Sequence, residues 1–196
     1  MSKSSLAELI ASRICHDVIS PLGAIGNGVE LLTLGMSTSS EELELISQSV
    51  ASANAKVQMF RIAFGPASGD LSTTKSELSD LLGSYFLDSR IYCDCDFEES
   101  ISRSEAKALL LATLCYESSL PRGGGITIRR MDTKWTLEAK VDSEIDGSPW
   151  DLLHDPALGS KLQPTLVHFY LLPLAISSLG REAIVKHDSQ HLKLEF

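Results

Sequence analysis

His16 is the side chain of this sequence whose chemistry and position stand out together. Residues 6–32 have helical periodicity, and at about 100° per residue this helix carries one apolar stripe with His16 on the opposite side. The stripe consists of Ile10, Ile14, Val18, Ile25, Val29 and Leu32. An imidazole with an ordinary pKa of about 6.5 is a good nucleophile near neutral pH. A solvent-facing ring of this kind can accept a phosphoryl group and return it to an aspartate.

Small and polar side chains share the predicted helix face of His16. We expect four of them to contact a docking partner: Ser12, Arg13, Gly23 and Asn27. An isolated exposed histidine is more often ordinary surface, so the functional interpretation depends on the surrounding motif. Asp17 and Arg13 could equally be ordinary surface charges.

Two long helices joined by a short loop are predicted for residues 1–66, the first domain. The first should span 6–32 and begin at a capping box formed by Ser5 and Glu8. The second should span about 40–64 and begin at a capping box formed by Ser39 and Glu42. Joined in this way, the two helices make an antiparallel hairpin.

Pro21 and three glycines are unusual inside the first predicted helix. Pro21 should kink the helix, because proline lacks an N–H and crowds the Asp17 carbonyl. Gly23, Gly26 and Gly28 each cost about 1 kcal/mol relative to Ala in a helix interior. We therefore expect a partner helix to approach closely on the glycine face.

A two-helix hairpin cannot bury apolar stripes on both of its helices by itself. Pairing with a second copy gives a four-helix bundle, which is the simplest arrangement that buries them. We therefore predict a homodimer formed through residues 5–65.

Residues 71–196 are predicted to form a second domain, which makes the whole chain α+β in class. The small, polar residues 66–75 predict a linker between the two domains. Helices are expected at 76–86, 104–120 and 165–179, and strands at 91–97, 126–130, 135–141, 183–186 and 191–196. Helices packed on such a sheet make an α/β sandwich.

The composition predicts a folded cytoplasmic protein without nucleic-acid or membrane partners. Hydrophobic residues make up 43% of the chain and charged residues 22%, with a net charge of −9. An acidic protein is poorly suited to nucleic acid, whose binding depends on Lys and Arg. No apolar run approaches the roughly 20 residues of a membrane span, and the N-terminus lacks a signal-peptide pattern. The four cysteines have no zinc-site spacing and are expected to be reduced thiols.

The run Cys-His-Asp-Val-Ile-Ser-Pro-Leu at residues 15–22 resembles the H-box of sensor histidine kinases. That motif is a His, an acidic residue, two intervening residues, a Thr, Ser or Asn, and Pro-Leu. The longer segment 7–32 resembles the ChpT family of alphaproteobacterial histidine phosphotransferases. Residues 105–130, a predicted helix followed by Pro-Arg-Gly-Gly, also resemble that family.

The resemblance implies roles for three residues and a set of partners. His16 matches the phospho-accepting position, and Asp17 matches the acidic residue that orients or deprotonates the imidazole. Ser20, one turn on, matches a position that can hold water or the receiver. A hybrid histidine kinase would supply phosphoryl groups through its receiver domain, and receivers of the CtrA and CpdR type would accept them. Mg²⁺ would come bound to the receiver.

The resemblance also implies that residues 71–196 are a degenerate form of the histidine-kinase ATP-binding domain. Such a domain needs an asparagine on one helix to hold Mg²⁺ and phosphates, and the predicted helix 104–120 has none. Asp146 and Gly147 supply only half of the loop that binds adenine. We therefore expect neither nucleotide nor any other cofactor or metal in this chain, and hypothesise that the domain helps to dock receivers beside His16.

Three functions remain open at this point. The leading hypothesis is a histidine phosphotransferase acting through a phosphohistidine at His16. An ATP-dependent histidine kinase would differ from it by binding nucleotide. A non-catalytic dimeric scaffold would keep its activity after His16 is replaced.

Overall fold

The computed structural model describes residues 3–33, 40–67, 72–98, 100–141, 145–155, 162–188 and 190–196. The helices are α1 Lys3–Thr33, α2 Ser40–Ala63, α3 Lys75–Tyr85, α4 Arg103–Ser119 and α5 Val167–Ser178. The strands are β1 Ser72–Thr73, β2 Ile91–Asp96, β3 Ile101–Ser102, β4 Gly124–Met131, β5 Lys134–Lys140, β6 Ile184–His187 and β7 His191–Glu195. Short 3-10 turns occur at Trp150–Leu153 and Pro164–Leu166.

The two predicted N-terminal helices are present as α1 and α2, and they pack against each other. Gly28 allows this close approach, because a Cβ built there would lie 2.6 Å from the Ile46 Cγ1 atom. A Cβ at Gly23 or Gly26 would meet no atom within 4 Å. The predicted close approach of a second helix is therefore confirmed at Gly28, where α2 is that helix. At Gly23 and Gly26 no helix in the described part of the chain approaches closely.

The start of α1 differs from the prediction. The helix begins at Lys3, so Ser5 lies inside it and is not its N-cap residue. Helix ends carry little sequence information beyond their caps, and a Ser-x-x-Glu pattern also occurs within helices. The other predicted capping box depends on Ser39, which lies outside the described residues.

The C-terminal half is an α/β sandwich built on a five-stranded sheet with the order β2-β4-β5-β7-β6. The β2–β4 pair is parallel and the other pairs are antiparallel, so the sheet is mixed. Alternate residues of the three central strands are buried: Ile126, Ile128, Leu137, Ala139, Leu192 and Leu194. Helix α4 is buried continuously from Ala108 to Tyr116, because it packs between the sheet and other helices. The predicted α+β class is confirmed.

The segment predicted as a linker is partly structured. Strand β1 pairs with β3 of the C-terminal half, and neither two-residue strand was predicted. Thr74 then caps α3: its side chain accepts from the Glu77 N–H, while the Glu77 carboxylate accepts from the Thr74 N–H. Such short strands have no detectable period in sequence, since their pairing is decided by the chain that lies beside them.

The hairpin and the C-terminal half share one apolar core. On α2, Met59, Phe60 and Ala63 are buried, and on α1 Ile14 and Val18 pack against the same core. Part of the apolar stripe of α1 is therefore covered by the chain's own second half. This packing fixes how α1, which carries His16, is oriented against α4 and α5.

Candidate functional site

His16 projects from α1 into solvent, with its side chain 74% exposed. Its Nδ1 atom lies 2.9 Å from Asp17 Oδ1. Because a carboxylate only accepts hydrogen bonds, this contact favours the tautomer that carries its proton on Nδ1. The Nε2 atom then keeps its lone pair and faces solvent, which is the state required of a nucleophile.

Asp17 is held from two directions and has a side chain only 14% exposed. Its Oδ2 atom pairs with Arg13 Nε at 2.9 Å, one helical turn earlier. Its backbone carbonyl would ordinarily accept from the N–H of residue 21, but Pro21 has no N–H. Lys56 of α2 donates to that carbonyl instead, at 3.3 Å. The proline thus creates a free acceptor that the second helix fills.

Arg13 is oriented differently from the expectation that placed it on the partner-facing surface. Its side chain is only 11% exposed and points towards the C-terminal half. The Nη1 atom donates to the Thr165 carbonyl at 3.1 Å, and Nη2 lies 3.9 Å from Glu117 Oε2. The predicted surface position of Arg13 is therefore wrong, because periodicity locates a residue on a helix but does not show that a second domain covers it.

The other predicted residues of this surface are exposed around His16. They are Ser12, Ser20, Gly23 and Asn27. Their roles in docking and in holding water or the receiver remain predictions. Lys56, Glu117 and Tyr85 are neighbours of the site that sequence reasoning missed. Of these, only the contact of Lys56 could have been anticipated from the sequence, because Pro21 leaves the Asp17 carbonyl without its helical donor.

Glu117 of α4 is a half-buried acid at this site, with its side chain 31% exposed. Tyr85 Oη donates to Glu117 Oε2 at 3.0 Å. Burial raises the pKa of Glu117, while the Tyr85 hydrogen bond and the positive charge of Arg13 act in the opposite direction. Burial and the nearby Glu117 charge raise the pKa of Tyr85, so it stays a neutral donor. The four side chains of Asp17, Arg13, Glu117 and Tyr85 therefore run in series from His16 into the core.

The residues that follow Asp146 and Gly147 pack into the core. Trp150 follows them and is buried, with its Nε1 donating to Ser119 Oγ of α4 at 3.0 Å. Its ring packs edge-on against the rings of Tyr116 and Phe169. Asp146 itself accepts from the Ser148 N–H at 2.9 Å, and hydrogen bonds from the Ser148 side chain and backbone lower the pKa of Asp146. Within the described ranges, no three His, Cys, Asp or Glu side chains are grouped as metal ligands would be.

The site is thus a surface histidine on a helical hairpin that is held against an α/β sandwich. Over residues 75–191 the chain matches the family described as histidine phosphotransferase C-terminal domain. That match covers more than half of the chain, and the chain belongs to this family.

Two relatives agree with this assignment. Protein phosphotransferase ChpT of Brucella abortus (strain 2308) is 34% identical over 131 residues, which is 66% of this chain and 62% of the Brucella protein. A solved structure titled as a bacterial phosphotransferase, at 1.7 Å, superposes with a TM-score of 0.81 and 25% identity. That superposition covers 100% of this chain and 97% of the other. In the described parts of the chain, no helix combines the length and apolarity of a membrane span.

Proposed function

We propose that this chain is a histidine phosphotransferase that relays phosphoryl groups from the receiver aspartate of a hybrid histidine kinase to response regulators. The observation that carries the proposal is the solvent-exposed His16 ring with its Nδ1 atom on Asp17. The family assignment and the two phosphotransferase relatives support the same chemistry.

The transfer needs no cofactor bound to this chain. His16 Nε2 attacks the phosphorus of an aspartyl phosphate, the N–P bond forms, and the P–O bond breaks with the aspartate leaving as a carboxylate. The phosphorylated ring carries positive charge while Nδ1 keeps its proton, and Asp17 stabilises that charge. The second transfer reverses these steps on another receiver. Mg²⁺ held by the receiver would neutralise the moving phosphoryl group.

A homodimer through the hairpin is part of the proposal. Each helix of the hairpin has a row of exposed residues spaced alternately by four and three positions, and we call the two rows together the outer seam. The seam consists of Cys15, Ile19, Leu22, Gly26, Val29 and Thr33 on α1, and Leu43, Ser47, Val50, Asn54, Val57 and Arg61 on α2. This spacing is typical of helices that pack side by side in bundles. Half of these residues are large and apolar, which favours a second copy as the occupant. His16 lies beside the seam and not on it, so pairing leaves the ring accessible.

The proposal also names specific partner proteins. Receivers of the CtrA and CpdR type are proposed as acceptors from the ChpT resemblance, and a cytoplasmic location follows from such partners. The exposed residues Ser12, Ser20, Gly23 and Asn27 would lie against the incoming receiver.

The proposal is tested by incubating the purified chain with a phosphorylated receiver and Mg²⁺. We expect an acid-labile, base-stable label on the chain, and its complete loss in His16→Gln. His187→Gln is the matched control, since that histidine is also exposed but lies on β6. Label that survives His16→Gln, or no label on the wild-type chain with any active receiver, would contradict the proposal.

A further inference from the structure

We propose that Arg13 and Glu117 are positioning residues, through which the C-terminal half holds Asp17 and thereby fixes the proton of the His16 ring on Nδ1. This inference rests on the proposed phosphotransfer at His16 and adds a role for the C-terminal half of the chain. Neither residue touches the reacting atoms.

The first step of the argument is the geometry of Asp17. One carboxylate oxygen faces His16 Nδ1 and the other faces Arg13 Nε, both at 2.9 Å. The contact with His16 is a hydrogen bond and the contact with Arg13 is an ion pair, and rotation of the carboxylate would break one or the other. The rotamer of Asp17, and with it the tautomer of His16, therefore depends on where the guanidinium lies.

The second step is that α1 alone does not fix the guanidinium. An ion pair one helical turn apart is by itself too weak to hold one rotamer. Here Arg13 is anchored outside its own helix, by the Thr165 carbonyl at 3.1 Å and by Glu117 at 3.9 Å. Both anchors belong to the C-terminal half, so the ring of His16 is oriented by a domain that it does not contact.

The third step concerns Glu117 itself. It is a half-buried carboxylate on α4, and Tyr85 of α3 donates to it at 3.0 Å. Removing a charge partly from water has a cost that pairing and hydrogen bonding offset, and Arg13 and Tyr85 are the partners that the structure gives it.

The primary test reads the tautomer of His16 by ¹⁵N NMR on protein labelled at histidine nitrogens, with the His16 signals assigned by their loss in His16→Gln. We expect a neutral wild-type ring protonated on Nδ1. Arg13→Gln and Glu117→Gln should shift the ring towards a mixture of the two tautomers. The double variant should be no more shifted than Arg13→Gln, because the two residues act in series.

A second measurement follows single-turnover transfer from a phosphorylated receiver at increasing receiver concentration. We expect each variant to lower the maximal rate by about 10- to 100-fold, because the ring is misoriented. The half-saturating receiver concentration should change by less than about twofold, since docking contacts are intact. Arg13→Lys, which keeps the charge but not the forked geometry, should restore only part of the rate.

Exposed residues of the same types provide matched controls: Arg90→Gln and Glu98→Gln should leave both tautomer and rate unchanged. Circular dichroism and thermal unfolding would identify a variant that fails to fold. If Glu117→Gln or Arg13→Gln failed to fold, Tyr85→Phe would replace it in the same NMR measurement. This variant removes only the hydroxyl that donates to Glu117, and a shift of the His16 tautomer in it would support the inference, whereas an unchanged tautomer would contradict it.

Two results would overturn the inference. One is an unchanged His16 tautomer in folded Arg13→Gln and Glu117→Gln. The other is a raised half-saturating receiver concentration with an unchanged maximal rate, which would make Arg13 a direct docking residue. Because the NMR measurement needs no transfer, it separates failure of this inference from failure of the proposed function, in which the wild-type chain would accept no phosphoryl group.

Discussion

Asp17 connects the chemistry of His16 to the backbone of the hairpin. Its side chain faces the ring, and its carbonyl accepts from Lys56 because Pro21 removes the helical donor. Pro21 of the His-Asp-x-x-Ser-Pro-Leu motif therefore connects α1 to α2 at Asp17, the residue beside His16.

Replacing Asp17 by Asn should slow phosphoryl transfer by about 10²- to 10⁴-fold without unfolding the chain. The amide can present an N–H to the ring, which favours the tautomer with its proton on Nε2 and removes the nucleophilic lone pair. Single-turnover transfer from a phosphorylated receiver measures the effect. A rate equal to that of the wild-type chain would show that Asp17 is an ordinary surface charge.

His168 is a buried histidine that the proposed chemistry does not use. It is fully buried on α5, with Nε2 at 3.0 Å from Ser118 Oγ, and burial together with the Arg13 charge lowers its pKa to about 3. In the unfolded chain its pKa returns to about 6.5, so the unfolded state binds the proton first as the pH falls. The stability that the neutral ring contributes is thus complete above about pH 6.5 and is lost progressively towards pH 3.

The His168→Gln variant should lack this pH dependence. Between pH 7.5 and 5.0 the free energy of unfolding of the wild-type chain should fall by about 2 kcal/mol more than that of His168→Gln. Urea unfolding of both proteins at the two pH values measures the difference, and the carboxylates and other histidines cancel in the comparison. Equal losses would show that His168 titrates alike in the folded and unfolded chain.

At the scale of elements, α1 and α2 present two different apolar surfaces. The inner one packs α1 against α2 and the C-terminal half, through Gly28 against Ile46 and through Ile14 and Val18 in the core. The outer seam remains exposed in the single chain. The predicted apolar stripe mixed these surfaces, since Val29 belongs to the seam while Ile14 and Val18 face inwards.

A charge in the centre of the outer seam should separate the proposed dimer. Val50→Arg places a cation among exposed apolar residues of α2, where a second copy would have to bury it without a partner. Light scattering coupled to size exclusion should give the mass of a dimer for the wild-type chain and of a monomer for the variant. Leu174→Arg, at an exposed leucine of α5, is the matched control and should remain dimeric. A monomeric wild-type chain at micromolar concentration would contradict the dimer.

At the scale of the whole molecule, helix α4 of the C-terminal half contacts both the buried Trp150 ring and Arg13 of the hairpin. Trp150 packs on α4 beside Ser119 and Tyr116, and Glu117 of the same helix faces Arg13. A helix whose neighbouring space is filled by an indole ring can serve as a rigid support. The single core shared with the hairpin makes that support continuous with α1.

The chain should not bind ATP or ADP. Helix α4 has no asparagine to hold Mg²⁺ and phosphates, and it offers Glu117, whose carboxylate would repel phosphates. Isothermal calorimetry with Mg²⁺-ATP at millimolar concentration should show only heats of dilution. Saturable binding with one site per chain would restore the alternative of an ATP-dependent kinase.

The sequence by itself determined the elements with a strong period and the exposure of His16. Residues 6–32 and 40–64 were predicted as helices, the strands 126–130 and 135–141 as a hairpin, and His16 as exposed, because these depend on spacing within one element. The β1–β3 pair, the inward turn of Arg13 and the contacts of Lys56 and Glu117 were decided only by tertiary structure. Each of these contacts joins residues that lie far apart in the sequence. A local sequence pattern does not show which distant residues will pack together.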